Sequence, residues 1–265
     1  MGLVVLSFFW VDESRAKMRS AVPTAEEVRI WDRMVARNLS VPHRRVCITH
    51  RPDLIDFMET APLDMAKHVP GTCLVKLQAH RPDMGEVLKA DRILLMDIDC
   101  VVTNNLDPLV NRNEPYVFWR NPNHTSQTAD GRKRGFVQGS IQLFTPSETA
   151  FLWQDFDERS VAGRVNGAKV GTVPLNRRFG GAEQCWISER LNAAYPEEGW
   201  EWNIPHYTEA DGVYGAGRLF NGKMGAGVQT DLPENARIVF TPGDRSPSQP
   251  EFRAQHPWVE RFYHA

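Results

Sequence analysis

Short, predominantly apolar runs recur along the chain, and each is bounded by polar residues or glycine. Runs of this length predict buried β-strands. The predicted strands are Leu3–Phe9, Arg44–His50 (RRVCITH), Arg92–Met96 (RILLM), Pro115–Trp119 and Gly139–Phe144.

Segments with helical spacing lie between several of these strands. In Thr24–Leu39, the apolar residues Val28, Trp31 and Val35 fall on one face of a helix. Its first residue is followed three positions later by Glu27, which is the capping-box pattern that begins a helix. Two further helices are predicted, at Val69–His80 and Gly181–Asn192. Because helices alternate with apolar strands, the chain is predicted to be an α/β protein with a mixed, mostly parallel sheet and helices on both faces.

Composition places the chain among ordinary globular proteins. Its 265 residues are 42% hydrophobic and 24% charged, enough to bury a core as one large domain or two closely associated ones. The net charge is -2, so no overall field draws the chain to nucleic acid or to an anionic membrane. Residues 112–134 carry five basic and two acidic side chains, and this cationic segment predicts either a solvated loop or a phosphate-binding surface.

The start of the chain and its cysteines bear on location. The apolar segment MGLVVLSFFW lacks the basic start and the cleavage site of a signal peptide, and it is too short to cross a bilayer. The cysteines are Cys47, Cys73, Cys100 and Cys185, which are widely spaced and form no metal-binding pair. We therefore expect reduced thiols, no membrane span and a cytoplasmic location. Under that expectation the glycosylation sequons at Asn38 and Asn123 carry little weight.

Two carboxylates follow the most apolar of the predicted strands. Asp97 and Asp99 come directly after Arg92–Met96, with Ile98 between them. Alternate side chains of an extended segment point the same way, so both carboxylates are predicted on one side while Ile98 packs inward. Ligands bind at the carboxyl ends of strands in such sheets. The pair therefore suits Mg²⁺ or Mn²⁺ carrying a nucleotide diphosphate, although Asp-x-Asp alone also fits a turn with two solvated acids.

These carboxylates belong to a longer series of segments that resembles the GT-A fold glycosyltransferases, which use nucleotide sugars, and in particular family 8 and its bacterial and viral relatives. In chain order the segments are VVLSFFW, RRVCITH, KLQAHRP, RILLMDIDCVVTNNLDPLV, GSIQLFTPS, EQCWISERLN and RIVFTPGDRSPSQPEFRAQHPW. The resemblance implies one glycosyltransferase domain over residues 1–265, with a nucleotide-binding part at about 1–110 and an acceptor-side part at about 111–265. It also implies transfer of a sugar from a nucleotide diphosphate sugar, expected to be a UDP-sugar, to an acceptor hydroxyl.

The resemblance carries residue roles with it. Asp97 and Asp99 would hold Mn²⁺ or Mg²⁺ on the diphosphate, and Glu183 and Gln184 would form the catalytic pair beside the anomeric carbon and the acceptor. Lys76 would lie near the phosphates or the sugar, where an ammonium offsets negative charge. The other residues expected around the donor are Ser7, Phe8, Thr49 and His50 near the nucleoside, and Gln138, Gly139 and Ser140 near the sugar.

The chain departs from the family pattern near its C-terminal end. Pro242 stands where the family has a metal-binding histidine, and Ser246 stands where it has a phosphate-binding lysine. Arg245, one residue away, is the predicted phosphate ligand, because a guanidinium binds phosphate in a bidentate manner. His206 and His256 are alternative sources of an imidazole, and both also fit structural roles.

The reaction requires stabilisation of the negative charge on the leaving diphosphate. The family likeness implies that the configuration at the anomeric carbon is retained. Glu183 stands in place of the family's aspartate, and in an inverting enzyme it would act as the base, so both outcomes stay open at this point.

The acceptor is either a saccharide or a hydroxymethylated DNA base, as in viral-type enzymes acting on 5-hydroxymethylpyrimidines. The DNA alternative would use the cationic segment 112–134 with Arg177 and Arg178 to contact phosphates, and the base would be flipped out. The aromatic and imidazole residues that form either an acceptor platform or plain core are Trp200, Trp202, His206, Tyr207 and Tyr214. Alternatives of other classes are a catalytically inactive nucleotide- or partner-binding protein and a metal-dependent phosphatase, although the phosphatase explains no segment after Pro108.

Overall fold

The computed structural model describes residues 2–12, 23–70, 72–120, 126–127, 133–134, 137–159, 161, 183–197, 203–219, 230–241 and 245–265. The strands are β1 (Gly2–Phe9), β2 (His43–Thr49), β3 (Glu59–Pro62), β4 (Ala90–Met96), β5 (Cys100–Val102), β6 (Tyr116–Arg120), β7 (Ser126–Gln127), β8 (Lys133–Arg134), β9 (Val137–Phe144), β10 (His206–Tyr207), β11 (Val213–Gly215) and β12 (Ile238–Phe240). The α-helices are α1 (Ala25–Asn38), α2 (Met84–Val87), α3 (Asp107–Val110), α4 (Pro146–Thr149), α5 (Glu183–Ala194), α6 (Ala216–Leu219), α7 (Pro250–Gln255) and α8 (Val259–Phe262). The 3-10 helices are Pro52–Leu54, Leu74–His80, Ala150–Leu152 and Glu209–Asp211.

Seven strands form the main sheet, in the order β10-β6-β9-β4-β1-β2-β3, and the sheet is mostly parallel. Strands β2 and β3 pair in parallel, whereas β6 and β9 pair antiparallel. A smaller sheet has the order β11-β12-β5, and β7 pairs with β8. The five predicted strands correspond to β1, β2, β4, β6 and β9, with their ends displaced by one or two residues. The predicted mixed α/β class is confirmed.

The chain divides into two compact units, each assembled from separate stretches. The first consists of Met1–Val4, Leu63–Leu95 and Glu114–His206, and the second of Val5–Pro62, Met96–Asn113 and Tyr207–Ala265. The functional assignment of residues 1–265 as one glycosyltransferase domain stays a prediction.

In the second unit, helix α1 packs against β5. Its predicted capping box is present, because the Thr24 backbone N donates to Glu27 Oε2 at 2.7 Å and the Glu27 N donates to Thr24 Oγ1 at 3.2 Å. Val28, Trp31 and Val35, predicted to share one face, are all 0% exposed. Burial of that face together with the cap fixes where the helix begins.

In the first unit, α5 packs against β9 and against the 3-10 helix Leu74–His80. The helix predicted at Val69–His80 is shorter in the structure: it spans Leu74–His80 and has 3-10 geometry. All seven of these residues are buried. Such a helix presents no solvent face, so its polar side chains need internal partners. Gln78 Nε2 meets this need by donating to Asp64 O at 2.6 Å.

Strands β6 and β9 change register within the first unit. Phe118 pairs with Gln142, but Trp119 pairs with Gln138, so residues 139–141 have no register partner on β6. A bulge of this kind bends the strand and redirects its side chains. It contains Gly139 and Ser140, both predicted to border the donor sugar.

All four cysteines are free thiols, and Cys47, Cys100 and Cys185 are buried. Burial raises the pKa of Cys47 and of Cys185 to about 12, so these thiols are protonated at neutral pH. Across the part of the chain that is described, no helix is both long and apolar enough to cross a membrane.

Candidate active site

Asp97 and Asp99 lie in the short connection between two buried strands. Strand β4 ends at Met96 and β5 begins at Cys100, so both carboxylates follow the carboxyl end of β4. Both are half-buried, whereas Ile98 between them is 7% exposed. This alternation in burial is the one that the sequence pattern predicts.

The chemistry of this connection fits a hard divalent cation. Mg²⁺ is commonly held by one or two carboxylates and completes its coordination with water and substrate phosphates. Within the described residues, no group of three or more His, Cys, Asp and Glu side chains is placed to hold a metal ion. A pair of carboxylates suits a cation whose remaining positions are filled by water and substrate phosphates. Pro242 lies outside the described residues.

The two alternative histidines have structural surroundings. His256 is 1% exposed, and its ring centroid lies 4.4 Å from that of Phe252. Burial, with a contribution from Arg245, lowers the pKa of His256. His206 Nδ1 donates to Ile204 O at 3.0 Å. These contacts favour the structural roles.

Lys76 and Glu183, both predicted site residues, form a buried ion pair in the first unit. Lys76 Nζ lies 2.5 Å from Glu183 Oε1, and the two side chains are 7% and 5% exposed. Lys76 comes from the 3-10 helix Leu74–His80, and Glu183 is the first residue of α5. Removal of one partner would leave an uncompensated charge in the interior, which is strongly destabilising.

Gly139 lies directly against the Glu183 carboxylate. A Cβ atom at position 139 would lie 2.1 Å from Glu183 Oε1 and 2.8 Å from its Cδ, closer than real contacts allow. The backbone N of Gly139 donates to Gln184 Oε1 at 3.4 Å. The structure therefore brings Lys76, Gly139, Glu183 and Gln184 together, and the glycine leaves room for the glutamate.

A buried chain of hydrogen bonds, which sequence reasoning missed, leads to the same glycine. Gln142 Nε2 donates to Gly139 O at 3.1 Å, and its Oε1 accepts from His80 Nε2 at 3.0 Å. His80 Nδ1 then accepts from Thr149 Oγ1 at 3.1 Å. Burial lowers the pKa of His80 to about 4, so the imidazole is neutral at pH 7, as one donor and one acceptor nitrogen require. His80 belongs to the segment KLQAHRP. Its partner Gln142 lies 62 residues further along the chain, so no sequence pattern indicates this contact.

The residues predicted near the nucleoside lie at the ends of β1 and β2. Ser7 and Phe8 are 0% and 4% exposed, and Thr49 is 2% exposed. Thr49 Oγ1 accepts from Arg51 N at 2.9 Å. His50 follows β2 and is half-buried. Of the four, His50 therefore offers the most accessible side chain.

The remaining predicted donor residues divide between the units. Gln138 and Ser140 are half-buried positions of β9 in the first unit. Arg245 belongs to the second unit, as do Asp97 and Asp99. It is half-buried, and its Nη1 donates to Gln255 Oε1 at 3.4 Å.

Residues considered for the acceptor are largely engaged elsewhere. Arg112, from the cationic segment, pairs with Asp211 at 3.4 Å. Tyr207 is 0% exposed and its hydroxyl donates to Leu109 O at 2.5 Å, and Tyr214 is 8% exposed. Both tyrosines are therefore core residues. The predicted residues Arg177, Arg178, Trp200 and Trp202 lie outside the described part of the chain.

Comparison with solved structures identifies the class of fold, which is the predicted GT-A fold. The galactosyltransferase LgtC, in complex with donor and acceptor sugar analogs, matches with a TM-score of 0.51 at 11% identity, over 98% of this chain and 93% of that chain. An active-site mutant of LgtC, in which glutamate replaces a glutamine, matches with a TM-score of 0.54 at 11% identity and the same coverage, 98% and 93%. No family model and no curated protein matches the sequence. At identity this low, the structural match establishes the fold alone.

Proposed function

We propose that this protein is a glycosyltransferase that moves a sugar from a nucleotide diphosphate sugar, expected to be a UDP-sugar, to an acceptor hydroxyl. The proposal depends above all on Asp97 and Asp99, two half-buried carboxylates at the carboxyl end of β4. Ligands of open α/β sheets bind at this edge. The match to the LgtC structures over 98% of the chain supports the same reading.

The charges of the second unit suit a departing diphosphate. Asp97 and Asp99 would hold Mn²⁺ or Mg²⁺, and such an ion neutralises charge on the leaving phosphates. The Arg245 guanidinium offers two parallel N–H donors to a phosphate. Ser246 cannot replace the family's lysine as a cation, so Arg245 takes that part.

Glu183 and Gln184 are the residues proposed to act beside the anomeric carbon and the acceptor. Glu183 is ion-paired with Lys76 at 2.5 Å, so the pair adds no net charge. Gln184 is uncharged and 8% exposed, and its amide can hydrogen-bond to sugar or acceptor hydroxyls. The LgtC mutant is described as altered at an active-site glutamine, which supports Gln184 as the corresponding candidate here. We propose that the reaction retains the anomeric configuration.

For the acceptor, we propose a saccharide. The LgtC complex contains an acceptor sugar analog, and the chain's net charge of -2 provides no general attraction to DNA. Arg112, one of the basic residues of the cationic segment, is already paired with Asp211.

Calorimetric titration with UDP, UDP-sugars and the other nucleoside diphosphates, with and without Mn²⁺, tests the proposal. We expect metal-dependent binding by the wild type that is lost in Asp97→Asn and in Asp99→Asn. Turnover of the donor sugar should fall by about 10²–10³-fold in each variant, the range seen when one group that stabilises developing charge is removed.

Asp91→Asn is the matched control, because Asp91 is an exposed carboxylate near the other end of β4. It should bind and turn over the donor as the wild type does, and all three variants should keep the wild-type unfolding temperature within a few degrees. A fully active Asp99→Asn would refute the metal assignment. Failure of every nucleotide to bind the wild type would refute the donor site itself.

A further inference from the structure

Thr241 occupies the position next to β12, opposite Asp99. Strand β12 pairs antiparallel with β5, and the last pair in register is Phe240 with Cys100. The backbone N of Thr241 continues this ladder by donating to Asp99 O at 3.0 Å. The main chain of a proposed metal ligand is thus held by a sheet-like hydrogen bond.

The Thr241 side chain links the same carbonyl to a second proposed ligand. Its Oγ1 lies 2.9 Å from Asp99 O and 2.9 Å from Arg245 O. Thr241 is 8% exposed, so water competes little for its hydroxyl. A hydroxyl carries a single proton, so it donates to one of the two carbonyls at a time. Both carbonyl oxygens lie within hydrogen-bonding distance of it.

The segment that carries Arg245 is also fixed from helix α1. Ser246 Oγ and Ser248 Oγ both donate to Glu27 Oε1, the second of these at 2.6 Å. Arg253 Nε donates to Pro247 O at 2.8 Å. The Ser246 hydroxyl is therefore committed to helix α1.

We propose that Thr241 is a positioning residue that sets the separation between Asp99 and Arg245, and so places the metal ligand and the phosphate ligand for one diphosphate. This inference rests on the proposed function. In this proposal Thr241 is not itself a ligand of the metal or the phosphate. It acts through two backbone carbonyls.

The test uses the full chain and the nucleoside diphosphate that the wild type binds most tightly in a panel of UDP, GDP, ADP, CDP and dTDP with Mn²⁺. Thr241→Val keeps the shape of the side chain and removes the hydroxyl, and we expect binding to weaken about tenfold. Such a change corresponds to about 1.4 kcal/mol. Thr241→Ser restores the hydroxyl and should restore binding to within about twofold of the wild type.

A double-mutant cycle with Arg245→Met separates positioning from a general loss of stability. If Thr241 acts through Arg245, Thr241→Val weakens binding much less in the Arg245→Met background. Thr208→Val is the matched control, because Thr208 Oγ1 also lies in the second unit and donates to Asp211 Oδ2 at 2.9 Å. It should lower the unfolding temperature without changing the affinity.

The outcomes distinguish the inference from the function on which it rests. Suppose that the wild type binds a nucleoside diphosphate. If Thr241→Val then binds it with unchanged affinity, or if the affinity losses of Thr241→Val and Arg245→Met simply add, the positioning role is overturned and the glycosyltransferase proposal stands. Absence of binding to any nucleoside diphosphate by the wild type overturns both.

Discussion

At the scale of single residues, the Glu183 side chain occupies space that is left by the absence of a side chain at position 139. The longer glutamate brings its carboxylate to Lys76 Nζ, 2.5 Å away, and it passes where a Cβ of residue 139 would stand. The glutamate at position 183 and the glycine at position 139 therefore depend on each other for packing. The register shift of β9 at residues 139–141 places the glycine where this approach is possible.

Gly139→Ala should destabilise the protein, because its Cβ would overlap Glu183 Oε1 at 2.1 Å and displace the carboxylate from Lys76. We expect a loss of about 1–3 kcal/mol in the free energy of unfolding, the usual cost of overpacking. Urea denaturation of the single variant and of Gly139→Ala combined with Glu183→Asp measures it. The shorter aspartate should reduce the cost of the alanine.

Gly2→Ala is the control, because a Cβ at Gly2 meets no atom within 4 Å. It should change the stability by less than about 0.5 kcal/mol. Equal stability of Gly139→Ala and the wild type would show that Glu183 moves aside freely, and the packing argument would fail.

At the scale of elements, the connection from α1 to β2 is held by a side chain from another helix. Asp107, the first residue of α3, accepts from Ser40 N at 2.7 Å and from Val41 N at 3.3 Å, both through Oδ1. Its Oδ2 accepts from the Ser40 hydroxyl. Leu106 N also donates to Asn38 O at 2.7 Å. The loop that leads into β2 thus depends on a carboxylate distant in sequence.

The hydrogen bond from the Ser40 hydroxyl, followed by those from backbone N–H groups, lowers the pKa of Asp107 below its ordinary value of 3.8. A carboxyl whose pKa is lower in the folded state stabilises the fold above the ordinary pKa, and this contribution is lost as the pH falls through the folded-state pKa. Asp107→Asn should therefore lower the urea midpoint at pH 7, and its difference from the wild type should shrink below about pH 4.

Urea denaturation between pH 3 and pH 7 checks this dependence. The exposed carboxylate of Asp56, whose side chain is 84% exposed, provides the control, and Asp56→Asn should leave the midpoint nearly unchanged throughout. A difference between Asp107→Asn and the wild type that stays constant down to pH 3 would contradict an ionic contribution.

At the scale of the whole molecule, local patterns predicted most of the framework. Strands β1, β2, β4, β6 and β9 follow from apolar runs, and α1 follows from helical spacing and a capping box four residues long. Each of these signals lies within one short segment, where sequence spacing and spatial neighbourhood coincide. The 3-10 geometry of Leu74–His80 was missed, because complete burial removes the amphipathic period that marks a helix.

The contacts within the candidate site could not be predicted in the same way. Glu27 was identified as the partner of Thr24 three residues away, yet its other oxygen accepts from Ser246, 219 residues further on. Gln142 and His80 meet across 62 residues. Such pairs leave no period in the sequence, since the tertiary fold alone brings them together. Asp97 and Asp99 could be predicted as candidates because their signal is local, at the end of an apolar strand.

The ion pair within the site leads to a prediction about the complete reaction. An inverting transferase needs a base that takes the proton of the acceptor hydroxyl, and Glu183 is the carboxylate considered for that role. Lys76 Nζ lies 2.5 Å from its Oε1, so the carboxylate is already engaged by an ammonium. Glu183 would have to leave this ion pair to act as the base, and Gln184 beside it has no basic group. We therefore expect retention of the anomeric configuration.

Proton NMR of the first product formed from an α-linked nucleotide sugar measures this outcome, because the coupling between H1 and H2 of a galactose or glucose unit distinguishes the two anomers. An α-linked product supports retention. A β-linked product would require a base, and Glu183 would then have to leave Lys76 when the donor binds.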